Sequence, residues 1–463
     1  MTLIPFSHGR CSLLIRLTGI AFLSLGLSLP VSAQSLSDLL AIALKDEPTY
    51  QGTIAELRAA QARNRQMIGA FLPQITASVN TNANQRGYLT RNLNVLEQKD
   101  RYNSHSWQVN LSQPLWRYSA IADKEQANAL VGKAKFELAA AEQMLFSKVV
   151  EAWLDVLMAR DQHNFTLRQE QAAQQQLAMM ERGSVLGVHG LPQREEAYSK
   201  YLQSQAETQM ALADIEIKRA ALEQLTGTLK SLNLPTLRDS LQLSPLAASS
   251  LPDWLNTIIV HNPDIEAARK ARDAAREDVS KQASGFIPTV DLIGNYTQNS
   301  QAVGGFPGQN GYDITQSYVG LQANWALFNG GSQFAKVQEA KALLEKAEYA
   351  LENTRRTVMN NSKQAWYSGL VSQAKIRASQ QEMIATNIAL TAARQGTQSG
   401  LKSELDILQA QQQRYAAQRD LAKGYYQQLI AMIKLKTLAG TVTHQDIAMI
   451  DGLFIDDSQG SGQ

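Results

Sequence analysis

The sequence predicts an α+β membrane protein in which one unit occurs twice. FLPQITASVN at 71–80 returns as FIPTVDLIGN at 286–295, and each phrase follows a polar, alanine-rich helical run. After each phrase, apolar and polar residues alternate as in a half-apolar strand, and a long run with helical periodicity then follows. A repeat of this size, with both periodicities in each copy, predicts two similar units that pack together.

Residues 1–33 have the three parts of a secretory signal peptide. Arg10 and Arg16 supply the positive charge, LTGIAFLSLGLSL (17–29) supplies the apolar segment, and the small residues of 31–33 fit the cleavage site. A membrane anchor is the alternative, but the apolar run is short for a spanning helix. After residue 33 no apolar stretch reaches about 18 residues, so the sequence predicts no further spanning helix.

Composition excludes several classes of site and partner. Cys11 is the only cysteine and lies in the predicted signal peptide, which excludes disulfides and thiolate metal sites from the remainder. Without Arg10 and Arg16, the 44 basic residues fall to 42 and equal the 42 acidic residues. This balance gives no electrostatic reason to expect nucleic acid as a partner.

Matched phrases define the two copies. SQPLW (112–116) corresponds to NWALF (324–328), and Trp153 corresponds to Trp366. The predicted organisation is a signal peptide at 1–33, a first repeat at 34–232, a linker at 233–252, a second repeat at 253–440 and a C-terminal tail at 441–463. The linker is assigned from its three prolines.

Each copy has the same predicted order of elements: a helix, a strand region, a very long helix, a glycine break and a final helix. The predicted bounds are 38–70, 73–116, 120–182, 183–190 and onward to 225 in the first copy, and 252–284, 288–328, 332–394, 396–400 and onward to 438 in the second. In the long helices a narrow stripe of alanine and leucine recurs at steps of three and four, as at Ala134, Leu138, Ala141 and Leu145. Such a stripe is typical of a coiled-coil seam.

The strand regions alternate between one apolar and one polar face. Trp107, Val109 and Leu111 alternate with polar residues, as do Val319 and Leu321. We expect ITASV (75–79) to pair with the first of these strands and VDLIGNY (290–296) with the second, across polar connections at 85–102 and 299–312. Half-buried hairpins of a soluble domain are the alternative. No apolar helix is at hand to cover the apolar face, which favours a transmembrane barrel.

Four strands cannot close such a barrel, since about eight are needed. Three copies of the chain would supply twelve strands to one shared barrel, continued by the long helices as a coiled-coil α-helical barrel. Pro73 and Pro288 mark the predicted helix-to-strand junctions, because proline breaks the helical hydrogen-bond pattern.

The duplicated order, SQPLW, NWALFNGG (324–331) and GLKSELDILQAQ (400–411) together resemble the TolC family of bacterial outer-membrane export ducts. The resemblance covers 37 to about 440. It implies a homotrimer in outer-membrane lipid that extends into the periplasm. It also implies a periplasmic adaptor protein and an inner-membrane pump, either ABC-type or proton-driven, as partners.

The resemblance also implies a gate where the helices narrow at the periplasmic end. By motif position, an acidic ring residue falls on Asp406, and the second acidic position falls on Gln409, a departure from the family pattern. A basic residue of the closed state falls on Lys402, its tyrosine partner falls on Thr397, another departure, and Glu196 is the acidic position of the first repeat. From the residues alone, an acidic side chain on a helix is most often solvated surface.

Enzyme motifs are absent from the sequence. The six histidines show no metal-ligand spacing, and no GxxxxGK[ST] phosphate loop occurs. We therefore expect no catalytic activity and no cofactor. A passive duct for type I protein secretion is favoured over a small-molecule or multidrug efflux duct, because a lipid-anchor cysteine is missing. A non-pore periplasmic coiled-coil adaptor or structural protein is the alternative of another class.

Overall fold

The computed structural model describes residues 35–88, 98–186, 190–229, 234–238, 250–302 and 310–455. They all belong to one compact unit. The predicted signal peptide and parts of the predicted linker and tail lie outside the described residues.

The two repeats show one order of elements, with two helices, a β-hairpin and two further helices in each. The first repeat comprises α1 (Leu36–Asp46), α2 (Pro48–Ile68), β1 (Gln74–Tyr88), β2 (Gln98–Trp116), α3 (Tyr118–Val185) and α4 (Leu191–Thr226). The second comprises α5 (Leu251–His261), α6 (Pro263–Ala283), β4 (Thr289–Gln301), β5 (Tyr312–Asn324), α7 (Ser332–Gln398) and α8 (Glu404–Leu438). Strand β3 (Thr236–Leu237) lies between them, and α9 (His444–Asp451) and β6 (Phe454–Ile455) follow.

The first predicted helix of each repeat is in fact two helices, which corrects the predicted ranges 38–70 and 252–284. The breaks fall at Glu47 and Asn262, which have extended backbone conformations directly before Pro48 and Pro263. Proline disfavours helical geometry in the residue before it but fits the first position of the next helix. The Asn262 side chain then caps α6 by accepting the N–H of Ile265 at 2.9 Å.

The hairpins pair as the sequence predicts but extend further. Ile75 lies opposite Leu111, and Leu292 lies opposite Leu321. Pairing continues to Tyr88 and Gln98 and, in the second hairpin, to Gln301 and Tyr312, so the predicted connections at 85–102 and 299–312 were too long. The ladder is built from backbone bonds, and polar side chains therefore do not end it. The second strand region also ends earlier than predicted, at Asn324.

The two hairpins form one antiparallel sheet in the order β1-β2-β4-β5. Strands β2 and β4 join the repeats, with Val109 opposite Tyr296. Several apolar side chains of this sheet are exposed, including Val79 at 80 % and Val319 at 76 %. Within the described residues β1 and β5 each pair on one side only, so the sheet has two open edges.

The long helices continue beyond their predicted ends at 182 and 394 and end inside the predicted glycine breaks, at Val185 and Gln398. Helix α3 contains Gly183 and α7 contains Gly396, because a glycine costs a helix only about 1 kcal/mol. The turn after α7 has Gly400 in a left-handed conformation, and Gly190 directly precedes α4. Helix α3 packs against α2, α4, α6 and α8, whereas α7 packs against α6 and α8 with a small contact to α5. No helix of the described residues has the length and apolarity needed to cross a bilayer.

The main apolar core surrounds the middle of α3. Trp153 packs edge-on against Phe454, and Tyr426 of α8 stacks on the same ring. Helix α1 buries Leu36 and Leu39 in this core. The predicted linker and the predicted tail are not separate here, because β3 of the former pairs with β6 of the latter.

Candidate functional site

The turn between α7 and α8 is built around Gly400. Its φ of +73° lies in the left-handed region that favours glycine. The N–H of Leu401 donates to the carbonyl of Gly396 at 2.8 Å, and the N–H of Gly400 donates to Thr397 at 3.1 Å. These two bonds form a Schellman motif that satisfies the last carbonyls of α7.

Asp406 closes the start of α8 on the other side of the turn. Its Oδ2 accepts the Ser403 N–H and the Ser403 hydroxyl, both at 2.7 Å, and its own N–H donates to Ser403 Oγ at 3.3 Å. This is a capping box. The backbone and hydroxyl donors of Ser403 hold the pKa of Asp406 below its ordinary value, and the charge of Lys402 acts in the same direction. Asp406 is therefore a fixed anion at the turn.

Lys402 covers Gly396 with its aliphatic stem. A Cβ added at Gly396 would lie 2.9 Å from Lys402 Cγ, so only glycine leaves room for this stem. Lys402 itself is exposed, and within the described part of the chain its ammonium group has no carboxylate within 4 Å. Glu196 instead pairs with Lys200 at 2.7 Å on the surface of α4, and this bond lowers the pKa of Glu196.

Two departures from the family pattern also lie at this turn. Gln409 is exposed on α8, one turn beyond Asp406. Thr397 bonds within the turn, since its hydroxyl donates to the carbonyl of Ala393 at 3.0 Å and lies 3.4 Å from that of Ser403. Thr397 thus fastens the end of α7 to the start of α8, a role that sequence reasoning missed. The S-x-x-D spacing of 403–406 was the available signal for the cap.

Apolar contacts support the same end of the helices. Leu390 and Ala393 of α7 pack against Ala410 and Ile407 of α8. Gln175 of α3 lines a groove together with α8, so the end of α3 lies at this end of the helices too. In the first repeat, Gly190 directly precedes α4, and its N–H donates to Gln193 Oε1 at 2.9 Å.

Pro73 and Pro288 lie at the opposite end of the helices. Each directly precedes a strand and follows a short 3₁₀ turn, at 69–71 and 284–286. The turns are closed by the N–H groups of Leu72 and Ile287. Among the described residues, no group of three acidic or histidine side chains is arranged to hold a metal ion.

Comparison with known proteins gives one consistent result. The model of the outer membrane efflux protein family matches residues 39–228 and 254–441. The alkaline protease secretion protein AprF of Pseudomonas aeruginosa is 27 % identical over 427 residues, which cover 91 % of this chain and 88 % of AprF. The outer membrane protein TolC of Vibrio cholerae is 24 % identical over 421 residues, or 91 % and 94 % of the two chains.

Solved structures agree on the fold. The CmeC outer membrane channel of Campylobacter jejuni superposes with a TM-score of 0.75 at 16 % identity, over 90 % of this chain and 89 % of CmeC. The predicted family resemblance and fold class are confirmed, with long paired helices and an antiparallel sheet of two hairpins. This chain is an outer-membrane channel protein and belongs to the outer membrane efflux protein family.

Proposed function

We propose that three copies of this chain form a continuous passive duct from the periplasm to the cell surface. An inner-membrane ABC-type pump and a periplasmic adaptor deliver a protein substrate to it in type I secretion. The main support for assembly from several copies is that equivalent side chains of the two repeats differ in their exposure.

The helix faces provide this contrast. The alignment of Trp153 with Trp366 makes Leu154 equivalent to Tyr367. Leu154 is fully buried, whereas Tyr367 is 57 % exposed, and Val371 one turn later is 67 % exposed. Helix α3 of the first repeat packs against α6 and α8 of the second repeat in the same chain. Helix α7 is the equivalent of α3 in the second repeat. By the same symmetry, α7 would pack against α2 and α4 of a neighbouring copy. Helix α4 has apolar side chains exposed for such a contact: Tyr198, Leu202, Met210, Leu212 and Ile217.

The pairing of the strands supports the same contact between neighbouring copies. Strand β2 pairs with β4 within the chain, and the equivalent pair is β5 with β1 of a neighbour. That pairing would join four strands from each copy without leaving an open edge, and twelve strands satisfy the minimum of about eight for a bacterial barrel. A single chain of four strands falls below this minimum, whereas a pair would reach it with eight strands, so the choice of three copies rests on the family resemblance.

At the periplasmic end, we propose that Asp406 of each copy faces the narrowed entrance, with Lys402 and Glu196 nearby and Gln409 in place of a second anion. The rigid cap that holds Asp406 as an anion supports this role. Three fixed carboxylates would attract cations, and Gln409 would keep the effect below that of a double ring.

Protein cargo is supported by the name of AprF, an alkaline protease secretion protein, and by its alignment along 91 % of this chain. Small-molecule efflux remains the second candidate, because the matching family is described by efflux. In a strain lacking this chain, loss of secreted protein from the medium with unchanged drug susceptibility supports secretion, and the reverse result supports efflux. Crosslinking in the membrane followed by mass measurement tests the trimer, and a stable dimer or a conducting monomer would contradict it.

A further inference from the structure

One face of the four-stranded sheet changes from apolar to polar part of the way along its strands. On β2 the residues of this face are Leu111, Val109 and Trp107, followed toward the strand tip by His105 and Asn103. Strand residues two positions apart share a face, so on β2 the change falls between Trp107 and His105. The apolar part lies nearer the helices and the polar part nearer the strand tips.

The other three strands change at corresponding positions. The last apolar residue before the change is Val79 on β1, Tyr296 on β4 and Val319 on β5. The matched phrases make Val319 equivalent to Trp107, and they make Gly294, one alternation before Tyr296, equivalent to Val79. The change therefore lies at a similar level in both repeats. We define the apolar band by Ile75, Val79, Val109, Leu111, Val319 and Leu321, and the polar rim by Asn103, His105, Gln298, Ser300, Thr315 and Ser317.

Trp107 and Tyr296 mark the boundary between the two parts. Their ring centres are 5.1 Å apart, and the Trp107 indole N–H donates to Gln298 of the polar rim at 2.9 Å. On the rim side of them, Thr81 Oγ1 lies 2.9 Å from His105 Nδ1. Tryptophan and tyrosine are enriched at membrane–water interfaces, because each combines an apolar ring with a polar group.

The length of the apolar part suits the hydrocarbon core of an outer membrane. The segment from Trp107 to Trp116 spans about 30 Å along β2, at about 3.3 Å per residue. A strand tilt of about 40° reduces this to about 23 Å across the membrane, close to the outward apolar band of about 25 Å in bacterial outer-membrane proteins. Strand β2 continues from Trp107 to Gln98, so about half of it extends beyond the apolar band.

Charged side chains of the same face lie still nearer the strand tips. Arg101 of β2 and Asp313 of β5 are exposed there. A charge on the lipid-facing side of a sheet is destabilising in the hydrocarbon core and is tolerated near the headgroups. Hydrocarbon along the full length of the strands would enclose both charges, so an earlier boundary is favoured.

We propose that the hydrocarbon of the outer leaflet ends at Trp107 and Tyr296, and that the polar rim contacts the polar headgroups of the outer-leaflet lipids. The apolar band contacts the lipid chains, while the outer half of the first hairpin extends into and beyond the headgroup layer. This inference rests on the proposed duct, in which the sheet crosses the outer membrane with its strand tips toward the cell surface.

Single cysteines test the boundary, because the sequence has no cysteine after Cys11 and Cys11→Ser gives a thiol-free background. Val109→Cys and Leu321→Cys lie in the apolar band, and Asn103→Cys and Thr315→Cys lie in the polar rim at positions equivalent in the two repeats. A nitroxide label at each position, in the protein inserted in lipid bilayers, reports collisions with oxygen, which concentrates in hydrocarbon, and with a water-soluble nickel chelate. Collisions with oxygen should dominate at the two band positions, and collisions with the chelate at the two rim positions.

Gln322→Cys is the matched control, since it directly follows Leu321 but lies on the opposite face of the sheet. Its label should collide mainly with the chelate, although its level in the membrane is the same. Oxygen collisions that dominate at Asn103→Cys and Thr315→Cys as strongly as at the band positions would overturn the boundary and leave the duct intact. Chelate collisions that dominate at all four positions would overturn both the boundary and the membrane placement of the sheet. Equal protease resistance of the variants in bilayers verifies that they are folded.

Discussion

Arg117 and Asp291 form an ion pair, through Nη2 of the arginine, that connects the two repeats at the base of the sheet. The Arg117 guanidinium lies 3.0 and 3.2 Å from the two carboxylate oxygens, and the Asp291 side chain is only 10 % exposed. Arg117 stands between β2 and α3, whereas Asp291 lies in β4. The pair therefore connects the end of β2, in the first hairpin, to the start of β4, in the second hairpin.

Asp291→Asn should lower the stability of the protein by about 1–3 kcal/mol, because it leaves a half-buried guanidinium without its partner charge. Thermal unfolding in detergent measures this loss. Arg356→Gln, which breaks an exposed pair with Glu352, should cost at most about 1 kcal/mol. Equal losses of stability in the two variants would show that the burial of Asp291 does not strengthen its ion pair with Arg117.

A cysteine pair tests the register between neighbouring copies. Within the chain Val109 lies opposite Tyr296. The matched phrases make Leu321 equivalent to Val109 and Thr81 equivalent to Tyr296, so Leu321→Cys with Thr81→Cys should crosslink between chains on gels. Opposed Cα atoms in a sheet are about 4.5–5.5 Å apart, within disulfide range. Gly320→Cys with Thr81→Cys should not crosslink, since the side chains point to opposite faces; the reverse pattern would refute the register.

Asp406→Asn should reduce cation selectivity and block by multivalent cations in planar-bilayer conductance. The effect should be modest because Gln409 supplies no second charge. Ser403→Ala is the matched control: it removes a capping hydroxyl but keeps the Asp406 carboxylate. Unchanged selectivity in Asp406→Asn, or an equal change in Ser403→Ala, would remove Asp406 from the entrance.

Gly400→Ala should destabilise the α7–α8 turn by about 1–2 kcal/mol, because alanine is strained at a φ of +73°. Amide hydrogen exchange over 396–406 should become faster. Gly69→Ala is the control, since its φ is −58° and nothing lies within 4 Å of an added Cβ. Unchanged exchange in Gly400→Ala would mean that the turn adopts another geometry without cost.

Acid should weaken the attachment of α9. Burial opposes ionisation of Asp446, but the Lys436 ammonium and the Thr443 N–H and hydroxyl together hold its pKa below the ordinary 3.8. A carboxyl group whose pKa is lower in the folded protein than in the unfolded protein stabilises the fold when the pH is above the unfolded pKa. This stabilisation is lost as the pH falls through the folded pKa. Asp446→Asn should therefore cost roughly 1 kcal/mol at pH 7, with the difference from wild type shrinking below about pH 4.

Thermal unfolding from pH 7 to pH 3 measures this convergence. Glu196→Gln is the control, because the Glu196–Lys200 pair is exposed and should not alter the unfolding temperature. A difference between wild type and Asp446→Asn that stays constant with pH would contradict the assignment.

The sequence by itself determined the duplicated order, the pairing within each hairpin and the family. These features depend on residues close together in the chain. Alternation across Trp107, Val109 and Leu111 defines a strand face, and the spacing of Ser403 and Asp406 closes a helix start. The positions of Pro48 and Pro263 likewise divided the first helices, although the division was missed in the prediction.

Only the tertiary structure decided how the repeats meet. Arg117 and Asp291 are separated by 174 positions, and Arg168 reaches Tyr415 only because α3 and α8 pack together. The linker and tail looked independent in sequence, yet Thr236 and Ile455 pair in one sheet. Such contacts form only when folding brings distant segments of the chain together. The local pattern of apolar and polar residues does not identify which segments will meet. The partner of a charged side chain is fixed by packing and burial, both of which arise only in the folded chain.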